Sequence, residues 1–92
     1  MNEKDASNRL KSKPRHFKDD IEVLVYAPDD GAYSLVATRE ALADYANPRG
    51  YDGDLDSLLM FALADLLLVA DNIYQRERRP DRVTVTTKDL NG

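Results

Sequence analysis

Residues 58–70 read LLMFALADLLLVA, and Asp65 is the only polar side chain among these thirteen. The flanking residues extend the run into one predicted helix over residues 55–79, which ends before Pro80 because proline cannot continue a helix. A surface helix has one apolar and one polar face, whereas this helix is apolar around nearly its whole circumference. The sequence therefore predicts a helix that the rest of the protein must cover.

The same run is too short and too charged to span a membrane. A span needs about 20 predominantly apolar residues, and Asp56, Asp65 and Asp71 border or interrupt this run. A charge at the centre of a bilayer is energetically expensive. We therefore predict a protein with no membrane partner. Since the N-terminal residues lack the apolar run of a secretory signal, the predicted compartment is the cytoplasm.

The residues before the long helix have the period of two that is typical of strands. Residues 21–37 alternate in this way on both sides of the turn sequence PDDG at 28–31, which predicts a hairpin. Thr38 is placed to cap a short helix over residues 39–46. After the long helix, residues 83–87 alternate again and predict a third strand.

These elements predict a single α+β domain over residues 18–92, in the order β-β-α-α-β. The economical arrangement is a three-stranded, mainly antiparallel sheet with two helices on one face and the last strand beside the first. Residues 1–17 contain too few apolar side chains to offset the entropy of ordering them. We therefore predict that they form a disordered basic tail.

Charge is strongly segregated along the chain, although the net charge is only -4. Residues 1–18 have a net charge of +4, residues 19–71 of -10 and residues 72–92 of +2. Such an asymmetry affects which partners a protein attracts, because like charges repel and opposite charges steer encounters.

The chain contains few of the residues and motifs that catalysis or cofactor binding requires. The 92 residues include no cysteine, which removes disulfides, thiolate zinc sites and thiol nucleophiles. His16, the single histidine, lies in the predicted tail, where a general base cannot be held against a substrate. No serine lies in a G-x-S-x-G turn, and there is no glycine-rich phosphate loop. We predict a non-enzymatic protein without a cofactor.

The acidic segment YDGDLD at residues 51–56 resembles the start of a calcium loop of the EF-hand type. Its sixth position is Ser57 instead of glycine, and its twelfth position is Leu63, which cannot supply the bidentate carboxylate. We therefore predict no metal site. Asp54 or Asp56 is expected to cap the long helix instead.

Two apolar residues of the long helix have no obvious cover in a monomer. Helical spacing places Phe61 and Leu68 on the same line as Asp65. Either the short helix or the tail folds over them, or they form an interface. We favour a homodimer through Phe61, Asp65 and Leu68, because exposed apolar patches mark interaction sites. Asp65 would then need a basic partner residue from the second chain.

The charge pattern predicts a small acidic protein-interaction module that docks on a basic protein surface. Such a module could act as an inhibitor or antagonist, a nucleic-acid mimic that occupies a surface where DNA or RNA normally binds. By analogy, phage or plasmid proteins that block a host enzyme, immunity proteins and antitoxins share this composition. The predicted partner-binding residues are Asp29, Asp30, Asp44, Tyr51, Asp52, Asp54 and Asp56.

The alternative is a small regulator that contacts nucleic acid itself. Its candidate surfaces are the basic N-terminal tail and the cluster of Arg76, Arg78, Arg79 and Arg82. The acidic middle of the chain weighs against this reading because it repels phosphate, and no basic stretch is interleaved with aromatic residues in a way that predicts a stacking platform.

Overall fold

The structure is a computed structural model that describes residues 6–92, and it has an α+β fold built on a four-stranded mixed sheet. The strands are β1 (Arg15–Phe17), β2 (Asp20–Tyr26), β3 (Ala32–Ala37) and β4 (Arg82–Val85). The helices are α1 (Arg39–Ala46), α2 (Leu55–Arg76) and α3 (Thr87–Asn91), with a 3-10 turn at Asn47–Arg49. The α+β class is confirmed. The structure has one strand and one helix more than the three strands and two helices that the sequence predicted.

The strand order in the sheet is β1-β2-β3-β4. The predicted hairpin is present as the antiparallel pair β2 and β3, in which Val23 lies opposite Leu35. The prediction that the last strand lies beside the first predicted strand is wrong: β4 pairs in parallel with β3, with Val83 opposite Leu35. The physical reason is that β1 occupies the free edge of β2, with His16 opposite Ile21.

The core lies between one face of the sheet and α2. Along β2 the residues Ile21, Val23 and Val25 are fully covered, and Leu35 of β3 and Val83 of β4 extend the same layer. The period of two in the sequence therefore correctly predicts which side chains of the strands are buried, because alternate side chains point to opposite faces of a sheet. We call the side of the sheet covered by α1, α2 and α3 the helical face, and the opposite side the open sheet face.

Helix α2 spans the length of the molecule. Its 22 residues give a length of about 33 Å at the usual rise, and the longest dimension of the molecule is 34 Å. The helix is long and apolar enough to cross a membrane by composition, but half of its most apolar window is buried inside the fold. This burial identifies α2 as the core helix of a compact domain, which is consistent with a soluble protein.

The N-terminal segment differs most from its prediction. Residues 1–5 of the predicted tail lie outside the described residues, but residues 6–17 pack on the body. Ala6 is fully buried, and Arg9 forms a bidentate ion pair with Asp71 of α2, at 2.9 and 3.0 Å. The Tyr33 hydroxyl donates to the same carboxylate at 2.7 Å. The prediction of disorder counted apolar side chains and missed that a strand also gains backbone hydrogen bonds and ion pairs from its neighbour.

The two ends of α2 show how local chemistry sets its limits. Asp54 caps the first turn by accepting from the backbone N–H of Ser57 at 2.8 Å, as predicted. The helix ends at Arg76, three residues before the predicted Arg79, because Arg78 and Arg79 both adopt left-handed backbone angles with φ of 62° and 60°. The chain leaves the helix there and turns back toward the sheet.

The C-terminal residues form a short helix where the sequence predicted the end of a strand. Thr86 and Asp89 form a reciprocal capping box, which starts α3 at Thr87 and limits β4 to residues 82–85. The capping pair was a sequence signal for this helix, although Asp takes the place of the more usual Glu.

Candidate functional site

The predicted partner-binding residues lie at two separate ends of α2. Asp29 and Asp30 belong to the turn between β2 and β3, where Asp29 accepts a hydrogen bond from Tyr74 at 3.3 Å, near the C-terminal end of the helix. Twenty residues of helix, or about 30 Å, separate Tyr74 from the cap residue Asp54 at the other end. Tyr51, Asp52 and Asp56 lie near Asp54, and the seventh member, Asp44, lies on α1. The structure therefore brings together only part of the predicted set.

Of the predicted acidic residues away from this N-terminal end, Asp29 and Asp44 have partners within the chain, whereas Asp30 forms no ion pair within residues 6–92. Asp29 forms an ion pair with Arg79 at 3.0 Å. Asp44 lies on α1 and accepts a hydrogen bond from the Thr87 hydroxyl of α3 at 2.6 Å. These contacts hold both carboxylates against other elements of the fold.

An aromatic cluster lies beside the N-terminal end of α2. The rings of Tyr51 and Phe61 stack in parallel, with centroids 4.1 Å apart and planes at 4°. Tyr45 of α1 meets the edge of Phe61, with centroids 5.9 Å apart. Even with both neighbours in place, Phe61 keeps 37% of its surface exposed. One residue of the predicted dimer interface and one residue of the predicted partner site therefore belong to a single cluster.

A shallow groove of about 360 Å³ adjoins this cluster and is lined by Tyr51, Asp56, Ser57, Met60 and Phe61. A groove that is open on one side cannot enclose most of a small molecule, which ligand pockets normally do. Its size and shape instead suit one or two side chains of a partner protein.

Asp56 lines the groove, and two further carboxylates, Asp52 and Asp54, precede it in the loop and at the cap of α2; the contacts of the three differ. Hydrogen bonds from Ser57 hold the pKa of Asp54 below its usual value. Asp56 lies 2.7 Å from the ring of His16 in β1. Asp52 accepts a hydrogen bond from the backbone N–H of Gly53 at 2.9 Å, and no ion pair to it is formed within residues 6–92. Within the same range, no three His, Asp or Glu side chains are grouped so that they could hold a metal ion.

Asp65 has its partner within the same chain. The Tyr45 hydroxyl donates to the Asp65 carboxylate, and burial together with this hydrogen bond raises the pKa of Tyr45. The guanidinium of Arg49 lies 3.8 Å from the centre of the Tyr45 ring on the other side. Leu68, one helical turn further along, is 54% exposed and extends the apolar line. We call Tyr51, Asp52, Asp56, Phe61 and Leu68 together the α2 surface.

The basic residues of the alternative reading are divided by the fold. Arg79 pairs with Asp29 at the C-terminal end of α2, whereas Arg82 of β4 lies on the open sheet face, 3.0 Å from Glu22. Arg15 of β1 meets the same carboxylate at 2.8 Å. Sequence reasoning missed this convergence, because it treated residues 1–17 as a tail. Residues 15–17 have no alternation of polar and apolar side chains, so the sequence carried no signal for this strand.

Comparisons with known proteins give no match: no family model, no curated protein and no solved structure is similar to this chain at a significant level.

Proposed function

We propose that this protein is a non-enzymatic interaction module whose α2 surface docks on a basic surface of a partner protein. The observation that supports the proposal is the partly exposed Tyr51–Phe61 stack beside a groove that the Asp56 carboxylate lines. Rigid aromatic side chains give a large contact area for little loss of conformational entropy and are enriched among residues that dominate binding energy. The stack is already formed in the free chain, so binding does not have to order it.

Charge favours a basic partner over a second copy of this chain. A symmetric contact through the α2 surface would bring the carboxylates of two copies together, and like charges at close range oppose association. Asp65, which was expected to require a base from a second chain, is already hydrogen-bonded to Tyr45. The homodimer through Phe61, Asp65 and Leu68 stays a prediction, and sedimentation of the wild type at micromolar concentration tests it.

A partner that normally binds DNA or RNA fits this surface best. Such proteins carry clustered Lys and Arg to neutralise phosphates, and the carboxylates around the groove offer the same sign of charge. Occupation of that surface would make this protein an inhibitor or antagonist of nucleic-acid binding. Complementary charge would also accelerate the encounter and make it sensitive to salt.

Affinity capture with matched variants tests the proposal. The full chain is immobilised, bound proteins from the native host are identified, and the purified partner is titrated calorimetrically against the wild type and the variants. We expect a basic partner that loses affinity at least about tenfold with Phe61→Ala, which removes an anchor residue. Asp52→Asn combined with Asp56→Asn should weaken binding and reduce its salt dependence.

The control is the double variant Asp30→Asn, Glu77→Gln, which removes two negative charges at the other end of α2, where both side chains are exposed. It should leave affinity nearly unchanged. Equal losses with both double variants would mean that net charge alone drives binding, and an unaffected Phe61→Ala complex would show that the partner docks elsewhere. Either result overturns the proposal.

A further inference from the structure

The open sheet face gathers basic residues from both ends of the chain. Glu22 lies in the middle of this face, opposite Arg15 in the pairing of β1 with β2. One of its carboxylate oxygens accepts from Arg15 at 2.8 Å, and the other lies 3.0 Å from a guanidinium nitrogen of Arg82. One carboxylate thus orients two guanidinium groups that are far apart in sequence.

Both guanidinium groups remain available to a ligand. The side chains of Arg15 and Arg82 are 79% and 63% exposed, whereas that of Glu22 is only 11% exposed. The hydrogen bond from Arg15 and the charge of Arg82 lower the pKa of Glu22, so the carboxylate stays ionised and keeps both groups in place. Each guanidinium has five N–H donors, and one nitrogen of each contacts the Glu22 carboxylate.

A depression of about 270 Å³ lies next to these groups, lined by Ser12, Lys13, Arg15, Glu22, Leu24 and Ser34. It combines two cations and two hydroxyl groups with the Glu22 carboxylate, which is already paired with Arg15 and Arg82. Arg, Lys and Ser side chains are the groups that proteins use to contact phosphate oxygens. The depression therefore suits a phosphate group better than it suits an apolar side chain.

Exposed aromatic rings lie at the two ends of the same face. Phe17 is 59% exposed and Tyr26 is 48% exposed. Each has a lysine beside it: the Lys18 ammonium lies 5.9 Å from the centre of the Phe17 ring, and the Lys11 ammonium lies 5.7 Å from that of Tyr26. Phe17 lies opposite Asp20, six residues from Tyr26 along β2, so roughly 20 Å separates the two rings.

The sign of the charge on this face is opposite to that of the whole chain. Four cations, two acids and two aromatic rings occupy the face: Lys11, Lys13, Arg15, Arg82, Asp20, Glu22, Phe17 and Tyr26. Its net charge is therefore positive although that of the chain is -4. On the other side of the sheet, the carboxylates of Asp56 and Asp71 are paired with His16 and Arg9.

We propose that the open sheet face binds single-stranded nucleic acid. The cations contact the phosphates, and Phe17 and Tyr26 stack on unpaired bases, which is the combination that sequence-tolerant single-strand binding requires. An acidic peptide would use the cations but not the two rings, and a duplex would keep its bases inside the helix. This inference goes beyond the proposed function, since it uses the opposite face of the molecule and none of the α2 surface.

Fluorescence anisotropy with the full chain tests the inference. The probe is a fluorescein-labelled oligothymidylate of about 12 nucleotides, with a duplex of equal length and polyglutamate as competitors at low salt. We expect the single strand to bind more tightly than the duplex and polyglutamate to compete poorly. Replacing both Lys11 and Lys13 by Ala should reduce the slope of log affinity against log salt by about 1.4. Tyr26→Ala should weaken binding about fivefold or more.

The matched control is Arg76→Ala combined with Lys88→Ala, which removes the same charge from exposed positions away from this face. It should retain most of the affinity, and circular dichroism confirms that each variant is folded. Four outcomes overturn the inference: no binding at low salt, equal losses with both double variants, preference for the duplex, or competition by polyglutamate as strong as that by unlabelled single strand.

Discussion

The helical face and the open sheet face of this domain carry opposite charge, although residues that are neighbours in sequence build both. In β1 the His16 side chain points to the helical face and meets Asp56 at 2.7 Å, while the adjacent Arg15 meets Glu22 on the open sheet face at 2.8 Å. The helical face presents the aromatic cluster with its carboxylates, and the open sheet face presents arginines and lysines.

The difference shows that charge counted in blocks along a chain does not give the charge of a surface. The period of two in a strand sends alternate residues to opposite sides, so the basic N-terminal segment contributes to both faces. Pairing then brings distant residues together, as Glu22 does with Arg15 and Arg82. The following predictions test whether the two faces are separate and preformed.

The opposite charge of the two faces requires that residues 6–17 remain packed on the sheet. Asp71→Ala removes the acceptor of both Arg9 and Tyr33, whose side chains lie largely inside the fold. We expect a loss of about 3 kcal/mol in the free energy of unfolding measured with urea, because a half-buried charge and a hydroxyl lose their partner. Asp56→Ala, which breaks the exposed pair with His16, should cost less than about 1 kcal/mol. Equal small effects would show that the segment is not held.

The helical face is expected to be ordered before any partner binds. Phe61→Ala removes the ring between Tyr51 and Tyr45 and should cost about 1.5 kcal/mol, less than for a buried phenylalanine because Phe61 is partly exposed. Leu68→Ala, at a more exposed position of the same helix, should change the free energy of unfolding by less than about 0.5 kcal/mol. A similar cost at both positions would mean that the stack contributes nothing in solution.

The open sheet face should give a pH-dependent contribution to stability. The pKa of Glu22 is lowered below its ordinary value of 4.5, first by the hydrogen bond from Arg15. A lowered folded-state pKa adds stability above the unfolded-state pKa, and this stability is lost as the pH falls through the folded-state pKa. Glu22→Gln should therefore cost about 1 kcal/mol at neutral pH, since its partners are exposed, and the difference should shrink toward pH 3. Asp52→Asn serves as the control.

The smallest effect is expected where the chain passes from the helical face to the sheet. Arg78 has a φ of 62°, a left-handed conformation that costs a residue with a side chain about 1 kcal/mol. Arg78→Gly should raise the free energy of unfolding by about 0.5 kcal/mol, since glycine adopts this conformation freely. Arg76→Gly, inside the last turn of α2, should lower it instead. Thermal denaturation of both variants shows whether each substitution raises or lowers the free energy of unfolding.

Local patterns predicted most of the secondary structure. The alternation in residues 21–37 and the Thr38 cap identified the hairpin and α1, and Asp54 was among the predicted caps of α2. These signals act over a few residues, so a sequence shows them directly. The strand order was not predictable in the same way, because it depended on β1, whose three residues are all exposed and carry no apolar period.

The candidate surfaces were predictable only in part. The exposure of Phe61 and Leu68 follows from helical spacing and agrees with the structure. The contact of Phe61 with Tyr51 does not follow from spacing, because it depends on how the loop before α2 folds back. The predicted carboxylates between Asp29 and Asp56 were expected to form one surface, yet the long α2 separates Asp29 and Asp30 from Asp52, Asp54 and Asp56.

The parallel pairing of β3 with β4 has a consequence for synthesis of the chain. Strand β4 begins at Arg82, and β3 ends at Ala37, so α1 and α2 must be made before the sheet is complete. The β2–β3 hairpin therefore emerges from the ribosome with Val23 and Leu35 uncovered, until α2 follows and buries them. Non-local pairing of this kind slows folding. In the interval the nascent hairpin exposes an apolar face, and β4 can complete the sheet only after α2 has been made.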